Sequence, residues 1–328
     1  MIHRRSFLSS LALASLTALA SLTACSKDDP SRPGGPPGAT ALQATKLALD
    51  WVAEPEFGGF YAAREGGAFK KEGLEVEIQG GGAGVPVVQM TATGKVDFGI
   101  AGADEVLTAR AHGADVVPVL AVFQRSPQGI MVHASRGVKT MAEALSSGSL
   151  AIEPGLSYGV FLKKKYGFDK VKVVPYDGGV ARFLTDKDHA QQCYVTSEPI
   201  AVRKKGGDPQ VFLVADEGFN PYLGVVITRA ALWRDKPALV RAFVRAARAG
   251  WRAYLDDPGP ANAVMGKLNK AMDADTFSAA AAAQKPLIDT GAGKLGAMSR
   301  ERWETLGKQM VELGLVERAA VPELVGVE

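Results

Sequence analysis

The stretch LDWVAEPEFGGFYAAREGGAFKKEGLEVEI, Leu49 to Ile78, joins the end of one strand to a helix and a second strand. Lys46 to Trp51 reads as the first strand, Gly58 to Glu72 as the helix and Leu74 to Gln79 as the next strand. The same alternation continues with a helix over Val85 to Lys95, a strand over Val96 to Ala101, a helix over Asp104 to His112 and a strand over Val116 to Phe123. A second set follows. Its strands are Gly129 to Ala134, Ser149 to Ile152, Val171 to Pro175, Gln191 to Val195 and Gln210 to Ala215, with helices over 140–145, 156–166, 179–186 and 199–206 between them. Short β-rich runs separated by helices predict an α/β fold with mainly parallel sheets.

After a strand over Tyr222 to Thr228 the chain turns almost wholly helical, with amphipathic segments over 236–255, 260–272, 274–288 and 299–313. The part from Lys46 to Glu328 is too long for one ordinary core and fits about two domains. If the strand near Tyr222 returns to the first sheet, the chain crosses between lobes near Gln124 to Gly129 and again near Asp216 to Pro221. The expectation is a two-lobed clamshell with lobe 1 built from 46–127 and 221–328 and lobe 2 from 128–220. A ligand would sit between the lobes, at the carboxyl ends of strands and the amino ends of helices.

Residues 1–24 read as an export signal: Arg4 and Arg5 precede an apolar run from Phe7 to Leu22 that is short and rich in small residues for a bilayer span. Leu22-Thr23-Ala24-Cys25 resembles the lipobox of bacterial lipoproteins, which makes Cys25 the expected site of lipidation. Residues 25–45, dense in Pro, Gly, Ser and charge, then form a tether. With Cys25 acylated, Cys193 has no cysteine partner left within the chain. The whole chain carries 38 basic and 35 acidic residues, and the signal removes two of the basic ones. A nearly neutral protein of this kind gives no sign of a nucleic-acid partner.

The opening stretch resembles the solute-binding proteins of ABC importers, in the NMT1/THI5-like branch shared with the thiamine-pyrimidine synthases. So do GGGAGVPVVQMTATGKVDFGIAGADEVLTARAHG, VTSEPIAVRKKG and GFNPYLGVVITR. The resemblance covers nearly everything after the tether. It implies a type II periplasmic-binding-protein clamshell that closes on a small molecule and hands it to a permease and ATPase. LDW together with Trp251 resembles the branch that takes aromatic ligands.

Trp51, at a strand end, can offer a flat apolar face to a planar ligand, or it can fill the core. Phe57 and Tyr61 share that choice. Gln79 to Met90 is a glycine-rich loop leading into a helix, where Gly84 would let backbone amides approach a ligand; a tight turn is the alternative. No Gly-Lys-Ser/Thr follows, so it is not a phosphate-binding Walker motif. Asp104 opens a helix and either caps it or accepts from a ligand amine. Ser157 faces the same choice between cap and ligand, with Tyr158 beside it at the junction. Glu198, before Pro199, is a candidate partner for an aminopyrimidine edge. Tyr222 and Gln128 stand at the two crossings.

The run of closely spaced cysteines that marks the eukaryotic synthases has no counterpart in NPYLGVVITR, and the four histidines, His3, His112, His133 and His189, are scattered. The expected function is therefore binding rather than catalysis, with no cofactor or metal, in an exported lipoprotein. The expected ligand is a thiamine pyrimidine precursor or another flat heteroaromatic such as riboflavin. The alternatives are a sulfonate, taurine or nitrate binder and a pyrimidine-forming enzyme.

Overall fold

In the computed structural model, which describes residues 41 to 325 apart from Ala292, β1 (Gln43–Ala48) precedes the opening stretch. It takes in residues 43–45, expected to belong to the tether, which instead pair with β2 (Leu74–Gln79). The stretch itself leads through a 3-10 turn (Pro55–Phe57), α1 (Gly58–Glu65) and α2 (Ala68–Lys71) into β2. β1 ends before Trp51 because the loop after it pairs with glycines instead of a strand. Gly81 N–H donates to the Trp51 carbonyl at 2.9 Å and Gly82 N–H to that of Asp50 at 3.2 Å. The expected single helix breaks at Gly66 and Gly67, where Gly67 takes φ of 73°, a left-handed conformation open to glycine at little cost.

The chain continues through α3 (Val87–Ala92), β3 (Phe98–Ala101), α4 (Ala103–Ala111) and β4 (Val116–Phe123). It then builds β5 (Gln128–His133), α5 (Met141–Ala144), β6 (Ser149–Ala151), α6 (Ser157–Tyr166), β7 (Lys172–Val174), α7 (Ala181–Thr185), β8 (His189–Tyr194), α8 (Glu198–Lys204) and β9 (Pro209–Leu213). β10 (Leu223–Arg229) precedes α9 (Ala230–Asp235), α10 (Pro237–Asp256), α11 (Gly259–Leu268), α12 (Ala274–Ile288) and α13 (Arg300–Glu312).

Two five-stranded sheets result, in the orders β2-β1-β3-β10-β4 and β7-β6-β8-β5-β9. Each has a parallel core and one antiparallel strand in the fourth place, β10 against β3 and β4, and β5 against β8 and β9. Both antiparallel strands are the ones delivered by a passage from the other sheet. The connections thus interlock the two sheets while leaving the carboxyl ends of β1, β3, β6 and β8 free for loops.

α10 packs on α1, beside the first sheet, through a seam made possible by glycine. A Cβ at Gly59 would sit 2.1 Å from Trp251 and one at Gly250 2.2 Å from the Gly59 carbonyl. Trp251 is 1% exposed and meets Phe60 edge-on at 5.7 Å, so this tryptophan belongs to the core and not to a ligand surface. Phe98 and Phe243 stack at 3.8 Å beneath the same sheet.

Candidate functional site

The loop after β1 carries Asp50, Trp51, Glu54 and Glu56. Trp51 is 42% exposed, against 1% for Trp251, so its ring does not fill the core. Phe57 and Tyr61 do: they are 3% and 1% exposed and belong to the apolar cluster under the first sheet. This corrects their expected place beside the ligand. The physical cause is the close packing of α1 on α10, where Gly58 and Gly59 lie against Tyr254 and Trp251 and the flanking aromatics are drawn into the apolar cluster.

Asp50, Glu54 and Glu56 are half-buried, and their carboxyl groups are withdrawn from water. Burial, reinforced by the charge of Glu105, pushes Asp50 up to about 7 against the pull of a backbone hydrogen bond. Burial and then the charge of Glu198 raise Glu54 to about 7, with hydrogen bonds from Asn269 and Trp51 opposing. Glu56 is held well above the carboxylate range by burial and by Glu54, Asp50 and Glu198. Asp50 Oδ1 is buried with no hydrogen-bond partner.

The second sheet contributes the facing wall. Glu198 opens α8 and accepts from the Tyr176 hydroxyl at 2.6 Å and from Tyr194 N–H at 2.8 Å, so it braces two tyrosines instead of capping its own helix. Burial first, then Glu56, Asp50, Tyr158 and Asp104, push the Tyr194 hydroxyl well up. That set joins acids from the first sheet's loops to tyrosines of the second. Gln128 Nε2 donates to the Tyr194 hydroxyl at 3.4 Å, and Tyr158 is buried in the apolar cluster, its hydroxyl pushed well up by burial first and then by neighbours that include Cys193 and Glu198.

Asp104 and Ser157 meet. The Ser157 hydroxyl donates to Asp104 Oδ2, while the backbone N–H before α4 is taken by Glu105 at 2.9 Å. Capping is therefore done by Glu105, and neither Asp104 nor Ser157 caps its helix. Gly84 takes φ of 78° in open surroundings, in the loop whose Gly81 and Gly82 amides are spent on the β1 loop.

Tyr222 lies elsewhere. It is buried, its ring is covered by the Arg302 guanidinium at 3.8 Å, and its hydroxyl accepts from Ser299 N–H at 3.0 Å. With one face occupied, it belongs to the packing between β10 and α13, a correction to its expected role opposite the ligand. Cys25 lies outside the described residues.

The structure thus brings Asp104, Gln128, Ser157, Tyr158 and Glu198 to one region together with Asp50, Glu54, Glu56, Tyr176 and Tyr194, which sequence reasoning missed. The missed signal is in the opening stretch itself: three acids in one strand-end loop with no basic residue before Arg64.

A riboflavin-binding protein, RibY of Chloroflexus aurantiacus, is 28% identical over 73% of this chain and 72% of its own length. A formylaminopyrimidine-binding protein of Halalkalibacterium halodurans is 25% identical over 67% and 69%. Among solved structures, the periplasmic aliphatic sulphonate binding protein SsuA of Escherichia coli superposes with a TM-score of 0.67, covering 87% of this chain and 94% of that one at 14% identity. The architecture is thus the two-lobed clamshell of periplasmic binding proteins. The sequence profile described as NMT1/THI5 like matches residues 54–261, and the chain belongs to the NMT1/THI5-like family.

Proposed function

We propose that this protein is the solute-capturing component of an ABC importer and that its ligand is a small planar heteroaromatic carrying N–H donors. The observation that carries the reading is the lining: Asp50, Glu54, Glu56 and Glu198 converge, and no lysine, arginine or histidine is among the groups acting on the first three. A sulfonate or nitrate in that place would meet carboxyl groups and no cation, and an anion buried without a partner is unfavourable by several kcal/mol. An N–H edge instead gives the unpartnered Asp50 Oδ1 its hydrogen bond. Trp51, exposed at the mouth, supplies the stacking face.

The relatives named for riboflavin and formylaminopyrimidine support this ligand class, and their names as binding proteins support a carrier over a pyrimidine-forming enzyme. Ligand contact falls to Trp51, Asp104, Gln128, Ser157 and Glu198, with Gly84 at the loop edge, while Tyr158, packed in the apolar cluster like Phe57 and Tyr61, supports the wall from behind. Export and anchoring through a lipid on Cys25 complete the proposal; among the described residues no helix is long and apolar enough to cross a membrane. Cys25→Ala should move the protein out of the membrane fraction, and continued anchoring would reject that part.

The ligand is tested by a thermal-shift panel of riboflavin, aminopyrimidine and formylaminopyrimidine, nucleobases, taurine and alkanesulfonates, since a ligand that binds only the native state raises the melting temperature. Shifts confined to flat heterocycles are expected. A shift with sulfonates alone would overturn the reading.

A further inference from the structure

The two sheets are drawn together in this structure by contacts that span them. Ser157 of α6 reaches Asp104 of α4, and Lys204 of α8 donates to both carboxylate oxygens of Asp273 at 2.5 and 2.6 Å and to Thr276 at 2.8 Å, at the start of α12. In this closed arrangement Asp50, Glu54 and Glu56 face one another, Glu105 of α4 and Glu198 of α8, with the Tyr194 hydroxyl of β8 and Asp104 beside them. The neutral groups against them are Trp51 and Asn269, which hydrogen-bond Glu54. Asp50 Oδ1 is buried in this cluster without a donor. Several carboxylates cannot all stay ionised when water is withdrawn and no cation enters.

We propose that closing of the cleft is coupled to proton uptake by Asp50, Glu54 and Glu56, so that an uncharged N-heterocycle is captured most tightly below neutral pH and released as the pH rises. This rests on the binding reading above and adds its regulation. In the open form the same carboxyls are hydrated and titrate near their ordinary values of about 4. In the closed form Asp50 and Glu54 titrate at about 7. The closed form therefore holds more protons between these limits. Its advantage is complete below the open-form value and is lost as pH climbs through the closed-form one, after which it is flat. For each proton taken up, affinity falls roughly tenfold per pH unit inside that window.

The deciding experiment needs no ligand: small-angle X-ray scattering of the ligand-free protein at about pH 5.5 and about pH 8, spanning the titration range of carboxyls raised to near neutrality. The radius of gyration should be smaller at the lower pH in the native sequence and indifferent to pH in the triple variant Asp50→Asn, Glu54→Gln and Glu56→Gln. Glu54→Gln alone, which keeps the other two carboxyls, should show a reduced shift and serves if the triple variant does not fold. An unchanged radius in the native sequence, a shift that survives in the triple variant, or one undiminished in Glu54→Gln, overturns the coupling. Riboflavin as the probe separates the two readings. Binding without any pH-dependent radius leaves the proposed function standing and removes the coupling. A pH-dependent radius with no binding of riboflavin or any other flat heterocycle does the reverse.

Discussion

Ser157 donates its hydroxyl proton to the carboxylate of Asp104, tying the first turn of a helix on one sheet to the first turn of a helix on the other. A hydrogen bond to a charged acceptor contributes about 1.5–3 kcal/mol, and this one exists only when the sheets are close. Ser157→Ala should therefore weaken ligand affinity about tenfold or more while the melting temperature of the ligand-free protein changes little. Fluorescence titration with riboflavin reads the first and calorimetry the second. Equal affinity in the variant would mean that the bond plays no part in closing.

Trp51→Ala should separate binding from stability. The ring is exposed and outside the apolar clusters, so its loss should shift stability by no more than about 0.5 kcal/mol. Binding of flat heterocycles should drop markedly. The contrast is Trp251→Ala, which empties a core site and should cost about 3–5 kcal/mol in denaturant unfolding.

Glu198→Gln keeps an acceptor for Tyr194 N–H and a partner for Tyr176 but removes a negative charge that acts on Glu54 and Glu56. Carbon-13 NMR titration of the side-chain carboxyls should then show Glu54 moving down from about 7 towards its ordinary range, because the ionised form loses a repulsion. The pH window for tight binding should move to lower pH with it. An unmoved Glu54 titration would show that burial alone sets its value.

Gly59→Ala should destabilise by about 1–3 kcal/mol, since the new methyl would lie 2.1 Å from the buried Trp251 ring. Thermal unfolding measures this. Gly84→Ala meets no neighbour within 4 Å, and its cost should be the conformational one alone, about 1–2 kcal/mol for leaving glycine at positive φ.

The fold was legible because its signals are local. Leu74 to Gln79 and Val116 to Phe123 are strands with the expected bounds, and the alternation of strand and helix is enough to choose the α/β class. What lay beyond reach were the ends set by partners distant in sequence. β1 stops early because Gly81 and Gly82 hold the carbonyls of Trp51 and Asp50, a fact absent from the run Lys46 to Trp51 itself. The site divides in the same way. Trp51 and Glu198 stand out as residue types at element ends, whereas Tyr176 and Tyr194 matter only because Glu198 accepts from both. Phe57, Tyr61 and Tyr222 misled for a related reason: an aromatic near a cleft looks the same in sequence whether its face is open or already covered by Arg302 or by the apolar core.

Arg302 does more than cover Tyr222. Its Nε donates to the carbonyl of Asn220 at 2.9 Å and its Nη1 to that of Gln124 at 2.6 Å, and Asn220 in turn accepts from Ser126 N–H at 2.9 Å. Gln124 and Ser126 lie on the passage from the first sheet to the second, and Asn220 on the passage back. One guanidinium thus rivets the two connecting ribbons to each other at the pivot. Ribbons fastened in this way are joined side by side, so a bend in one is passed to the other through the same guanidinium, as two straps share one buckle.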